Sequence, residues 1–262
     1  MQYGYWLKQT PEAPLFAEIE WQRPERRSLA GRLLIVGGNK LGFSAVAQAY
    51  SDAQTAGVGE CRAILPAALK AVIDKLALDC VFVPTNPSGG MSKDALPALQ
   101  AAAAWADCLL LIGDAGRNSE TAIALETLLT SSPKPAVITR DTVDLLRAAM
   151  PQLLQRPQTL LVVSLAQLQK LFQIVYYPKT ILFSMQLTTL VETLHKFTIS
   201  YPVSIIVFHH QQLVAAHDGR VTTAPWEDVM LIWRGSVATR AAVYWLQNQA
   251  KPLEAVTASF IT

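Results

Sequence analysis

Short, wholly apolar runs alternate along this chain with stretches of helical periodicity from Arg32 onward. Residues 33–36, 62–65, 81–83, 109–112, 136–138, 160–163 and 203–208 read as strands. Runs this short and this uniformly apolar predict strands buried on both faces, as in a parallel sheet. Between them, 44–56, 66–76, 95–105, 119–129, 142–150, 165–172 and 188–197 carry helical patterning, and 237–248 reads as a closing helix. Pro66 suits a first helical turn, and Asn118 or Ser119 suits a cap. Residues 212–217 and 220–223 flank Asp218-Gly219, a dipeptide that favours a tight hairpin. The expected fold class is a three-layer α/β domain, with a mostly parallel central sheet covered by helices on both faces and a late antiparallel hairpin. Residues 1–30 precede this alternation. Tyr3, Tyr5, Trp6 and Trp21 make them too aromatic for a free tail, and 24–28 is a polar break. An N-terminal aromatic arm (1–30) packed on one domain (31–262) is therefore expected.

Composition narrows the function classes. Of the 262 residues, 51% are hydrophobic and 16% charged, where an ordinary soluble domain carries roughly 25% charged residues. That much apolar surface excludes intrinsic disorder. A net charge of +2 provides no long-range field for phosphates, so a nucleic-acid partner is not expected. The most apolar stretch, 96–112, contains Pro97, Gln100 and Asp107, so no membrane-spanning helix is expected. The N-terminus lacks the basic-then-apolar order of a signal peptide. The cysteines, Cys61, Cys80 and Cys108, are odd in number, far apart and set in or beside apolar runs. Neither a disulfide framework nor a metal site is indicated, and a cytoplasmic location is expected.

In a parallel sheet, ligands bind beyond the carboxyl ends of the strands. Gly37-Gly38-Asn39-Lys40 follows the first strand, where glycines either bring backbone N–H groups to an anion or make a tight turn. Gly113-Asp114-Ala115-Gly116-Arg117-Asn118 again opens a helix, with a guanidinium that either pairs with phosphate or is simply solvated. Thr139-Arg140-Asp141-Thr142 holds a carboxylate or a cap. Trp233-Arg234-Gly235-Ser236, before the closing helix, is a plausible anion seat lacking the Gly-Lys-Ser/Thr of a P-loop. His209 and His210 would point to opposite faces if their strand continues, without further ligands at metal-binding spacing. His195 reads as a surface residue, and no G-x-S-x-G elbow supports a serine nucleophile.

The order of these loops resembles the ADP/ATP-dependent NAD(P)H-hydrate dehydratases of the ribokinase-like superfamily. Arg32-Leu-Leu-Ile-Val-Gly-Gly-Asn39, Ala45 and Ala56-Gly57-Val58-Gly59 are similar to that family's first strand, Ala-rich helix and Ala-Gly-Ala-Gly turn. Ala106-Asp107-Cys108-Leu-Leu-Leu-Ile-Gly113-Asp-Ala-Gly116-Arg117 and Pro135-Ala-Val-Ile-Thr-Arg-Asp141 match its next two segments. The resemblance covers about residues 30–250, without the family's frequent epimerase domain. It implies a substrate site at Gly37, Gly38, Asn39, Gly113, Gly116, Arg117 and Asp141. It implies a nucleotide site at His209, Arg234, Gly235 and Ser236, with Ser236 at the catalytic position. ADP or ATP, Mg2+ and an NAD(P)H-type ligand are the implied cofactors.

The departures bear on activity. Ser44 replaces a glycine, and Asp114 and Ala115 replace Pro and Gly of the central loop. Thr139 stands for an Asp, Gln167 for a Glu, and His209 for a Lys. Ile232-Trp-Arg-Gly235-Ser236 stands for the Gly-Gly-Thr-Gly-Asp segment, so Ser236 takes the place of the acid/base Asp. An unassisted hydroxyl does not exchange protons near neutral pH as a carboxylate does. Two functions are expected in competition. One is a dehydratase with a degenerate site, which would remove water from hydrated NAD(P)H; a small-metabolite kinase is a related variant. The other is a pseudoenzyme that binds nucleotide or serves as an assembly subunit. The arm aromatics, with Trp226 and Trp233 read as exposed, fit a homo-oligomer or heteromer interface or internal packing.

Overall fold

Each apolar run becomes a strand, because only a central sheet hides such runs on both sides. The computed structural model describes residues 4–73 and 78–261. The chain begins with β1 (Trp6–Lys8), α1 (Ala17–Trp21), β2 (Arg32–Gly37), α2 (Ser44–Thr55), β3 (Glu60–Pro66), α3 (Lys70–Ile73) and β4 (Cys80–Val83). It continues through α4 (Leu96–Trp105), β5 (Cys108–Gly113), α5 (Ser119–Ser131), β6 (Ala136–Thr139), α6 (Asp141–Leu145), α7 (Met150–Leu153), β7 (Thr159–Val163) and α8 (Leu165–Ile174). Then come α9 (Leu187–Ser200), β8 (Val203–His209), β9 (Gln212–His217), β10 (Arg220–Pro225), α10 (Val229–Arg234), α11 (Ser236–Gln247) and α12 (Pro252–Ala258).

The strands form one ten-stranded sheet in the order β4-β3-β2-β5-β6-β7-β8-β9-β10-β1. β9 runs antiparallel to both its neighbours, and the other pairings are parallel. Strand β5 shows how both faces are used. Leu109 and Leu111 join a core with Leu99, Leu125, Leu171 and Phe197 on one side. Leu110 and Ile112 join Val46, Ala49, Ala238 and Trp245 on the other. Helices α4, α5, α8 and α9 thus cover one face, and α2, α11 and α12 the opposite one. No helix among the described residues is long and apolar enough to cross a membrane.

Several elements differ from the pattern-based expectation. The helix expected over 142–150 is interrupted between α6 and α7, with Pro151 opening the second piece. Proline removes a backbone donor and its ring clashes with the carbonyl four residues earlier, at Arg147 in a continuous helix. The helix expected over 66–76 is a short 3₁₀ turn followed by α3; its last positions, like Tyr3, lie outside the described residues. Trp6–Lys8 pairs in parallel with β10, and Trp6 Nε1 donates to the Thr223 hydroxyl at 3.0 Å. Tyr5 stacks on His195 with ring centroids 3.8 Å apart, so His195 is partly covered rather than a free surface residue. Trp226, read as exposed, is only 8% exposed, and its indole donates to the Asp228 carbonyl.

Candidate functional site

The parallel strands β5 to β8 end on one edge of the sheet, where a cavity of about 890 Å³ opens. That is the size range of small-molecule sites. Its polar wall comes from the segments that follow β5, β6 and β7: Asp114, Thr139, Arg140, Asp141, Asp144, Ser164 and Gln167. The facing wall is apolar and aromatic, with Phe183, Phe208, His209, His210, Ile232 and Trp233.

Arg140 organises the polar wall. Its backbone has φ 57° and ψ −141°, a conformation that costs a non-glycine residue about 1–3 kcal/mol. Surrounding hydrogen bonds hold it there. Gln167 Nε2 donates to the Arg140 carbonyl at 2.8 Å. The guanidinium donates to Asp114 Oδ1 at 2.9 Å and also to the Trp233 carbonyl. That second acceptor is one of the carbonyls left without an intrahelical partner where α10 ends. Asp114 Oδ2 accepts from the Ala45 N–H at 2.8 Å and the Ser44 hydroxyl at 3.4 Å, at the start of α2. The Asp114 N–H in turn donates to Asp141 Oδ1 at 2.9 Å.

The residues at positions where the resemblance implies other side chains have structural work. The Thr139 hydroxyl donates to the Val162 carbonyl on the neighbouring strand at 3.0 Å. Ser164 and Gln167 form a capping box at the start of α8. The Gln167 amide also donates to Asp144 Oδ2 at 2.8 Å; a glutamate there has no such donor. Burial opposes the charge on Asp144, but hydrogen bonds from Lys170 and Gln167 outweigh it and hold its carboxyl below the ordinary range. β8 ends at His209, and positive φ at His210 and Gln211 makes the turn. The two rings therefore do not diverge as a continuing strand requires. Both Nε2 atoms approach the Met185 carbonyl, at 2.7 and 3.1 Å. Burial pushes His209 below the usual imidazole value, against the opposing effect of that carbonyl, and the neighbouring His210 lowers it further.

The expected site residues separate into groups. Asp141 and His209 line the cavity. Gly37, Gly38, Asn39, Gly113 and Gly116 meet beside it in a packed junction, where Gly38 N–H donates to the Gly113 carbonyl at 2.9 Å. A Cβ on Gly37 would lie 2.4 Å from that same oxygen, so close backbone approach fixes the glycine. Asn39 spends its side chain on the Ser88 carbonyl and the Leu41 N–H, and Arg117 is exposed. Residues 233–236 stand just before the closing helix, at its junction with α10. Trp233 and exposed Arg234 end α10, Gly235 turns with φ 92°, and Ser236 begins α11. Ser236 is 6% exposed and, like Arg234, lies outside the cavity lining.

Arg140, Asp114 and the Phe183–Trp233 wall were missed as site residues. Position just after a strand marked Arg140 and Asp114, but their pairing depends on backbone reversals invisible in a pattern. Among the described residues, no group of three or more His, Cys, Asp or Glu side chains could hold a metal ion.

No protein-family model matches the chain, and no curated protein matches it by sequence. Solved structures do match. A ribokinase-like superfamily protein from Enterococcus faecalis V583 superimposes with TM-score 0.72 and 14% identity, over 100% of this chain and 87% of its own. A hypothetical protein from Streptococcus mutans gives 0.68 and 14%, over 93% and 85%. The ADP/ATP-dependent NAD(P)H-hydrate dehydratase from Bacillus subtilis, co-crystallized with ATP/Mg2+, gives 0.60 and 12%, over 95% and 86%. At these identities the likeness establishes the fold, a three-layer α/β ribokinase-like architecture.

Proposed function

We propose that this chain is a non-catalytic ribokinase-like protein that binds a nucleotide-family small molecule at the carboxyl ends of β5 to β8. The observation that carries this reading is a ligand-sized cavity in which Asp114, Arg140 and Asp144 are already engaged with protein groups. General acid–base work needs a group free to gain or lose a proton in contact with the reacting atoms. Asp114 is tied to Arg140 and the start of α2, and Asp144 is tied to Lys170 and Gln167. At the position where the resemblance puts the acid/base stands the buried hydroxyl of Ser236. Asp141 lines the cavity with one oxygen on the Asp114 N–H, an arrangement suited to holding a ligand hydroxyl.

The experiment is thermal unfolding with adenosine, ADP, ATP with Mg2+, and NADH. A ligand at 100 times its Kd adds about 2.7 kcal/mol, which for a chain of this length raises Tm by about 5 °C. Absence of a shift with all of them refutes the binding reading. A second reading, residual dehydratase activity, draws support from the superposition on the Bacillus subtilis dehydratase over 95% of this chain. It requires ATP-dependent return of NADH from its hydrate.

A further inference from the structure

The positive charge facing the cavity is paired with Asp114, and Arg140 Nε is left buried without a partner. Arg140 is the only Lys or Arg among the described lining residues, and its guanidinium is divided between Asp114 and the Trp233 carbonyl. Asp114 meanwhile accepts from the Ala45 N–H and the Ser44 hydroxyl at the start of α2. The protein's own carboxylate thus sits where an incoming phosphate would seek an arginine and helix-end amides. The start of α11, Gly235 and Ser236, does not line the cavity. A phosphate entering here must displace Asp114 while facing the carboxylates of Asp141 and Asp144. Lys170 is held by Asp144 at 2.8 Å and does not line the cavity.

What remains available on the polar wall is acceptor capacity. Asp141 forms no ion pair among the described residues, and the Thr139 oxygen still has a lone pair after its hydrogen goes to Val162. Such groups match ligand hydroxyls. On the facing wall, Phe183 and Trp233 are 67% and 57% exposed. Large aromatic faces left open at a cavity suit a flat ring.

The geometry points to an uncharged ribosylated heterocycle, a nucleoside, as the ligand this cavity selects, with the ring on the aromatic wall and the ribose hydroxyls on the acceptors. This rests on the nucleotide-family reading above and narrows it: phosphate is excluded by Asp114 rather than recruited.

Isothermal titration of the full chain with adenosine, uridine and ATP, in EDTA and in Mg2+, tests this. At least one nucleoside is expected to bind tenfold or more tightly than ATP in both buffers, and raising the salt should change its Kd less than twofold. Asp114→Ala frees Arg140, and is expected to tighten ATP and to raise the ratio of ATP to nucleoside affinity at least tenfold. ATP binding the wild type as tightly as the nucleosides, or more so, overturns the inference but leaves the nucleotide-family reading standing. No binding by any of the three overturns both. Should Asp114→Ala fail to fold, the wild-type comparison decides alone; a folded variant with unchanged ATP affinity refutes the role given to Asp114.

Discussion

The Asp114–Arg140 pair is open to a quantitative test. Side-chain exposures of 25% for Arg140 and 19% for Asp114 place the pair between two regimes. Exposed ion pairs contribute about 0–1 kcal/mol, and breaking a fully buried one costs about 3–5 kcal/mol. An intermediate value of about 2 kcal/mol follows for losing either partner. Asp114→Ala also removes the acceptor for the Ala45 N–H, worth about 1 kcal/mol as a helix cap, for a total near 3 kcal/mol. Arg140→Ala leaves the Trp233 carbonyl without this donor, again about 1 kcal/mol. The double variant cannot lose the pair twice, so it should be destabilised by about 4 kcal/mol rather than the roughly 6 kcal/mol of the summed singles. Urea unfolding of the four proteins measures this, provided the m-values agree. A coupling below about 0.5 kcal/mol is the additivity expected of independent sites, and would refute the claim that these side chains hold each other across the cavity.

Other consequences are equally direct. Gln167→Glu, which restores the acidic residue implied by the resemblance, should destabilise by about 2 kcal/mol; it loses the donors to Arg140 and Asp144 and sets two carboxylates together. Urea midpoints check it, and an unchanged midpoint contradicts the network. Gly37→Ala should cost more than 2 kcal/mol or prevent folding, since its Cβ would meet the Gly113 carbonyl; soluble yield and Tm report it. Burial holds His217 below the ordinary imidazole value, outweighing the opposing charges of Asp218 and Glu254, and burial likewise lowers His209. The unfolded chain therefore binds more protons, so this contribution is present above the ordinary imidazole value of about 6.5 and is lost as pH falls through the lowered folded values. His217→Gln should flatten that slope in pH-dependent urea unfolding; an unchanged slope removes His217 as a source.

The sheet was legible because burial on both faces leaves unbroken apolar runs, and even the hairpin at Asp218-Gly219 was marked by its turn residues. Elements stabilised by tertiary contact were not legible. Trp6–Lys8 is a strand only because β10 offers an edge. The six-residue α10 has no fully buried residue, so it leaves little periodic signal. At the site, the positions implied by the resemblance lie at the carboxyl ends of the strands, where the cavity opens, but the sequence did not show what several side chains there bind. Thr139 and Gln167 are not mere vacancies, because each supplies donors that the acidic residue would lack. Arg140 escaped notice because its importance lies in a left-handed backbone and in partners contributed from 114 and 233.

The central claim, that the cavity binds without catalysing, is tested most directly by a single-turnover reaction. The full chain, in excess over hydrated NADH, is incubated with ATP and Mg2+ while the return of NADH absorbance is followed. The account predicts a trace identical to the ATP-free control from the same preparation that binds a nucleoside by titration. Recovery of NADH that depends on both ATP and the protein would contradict it.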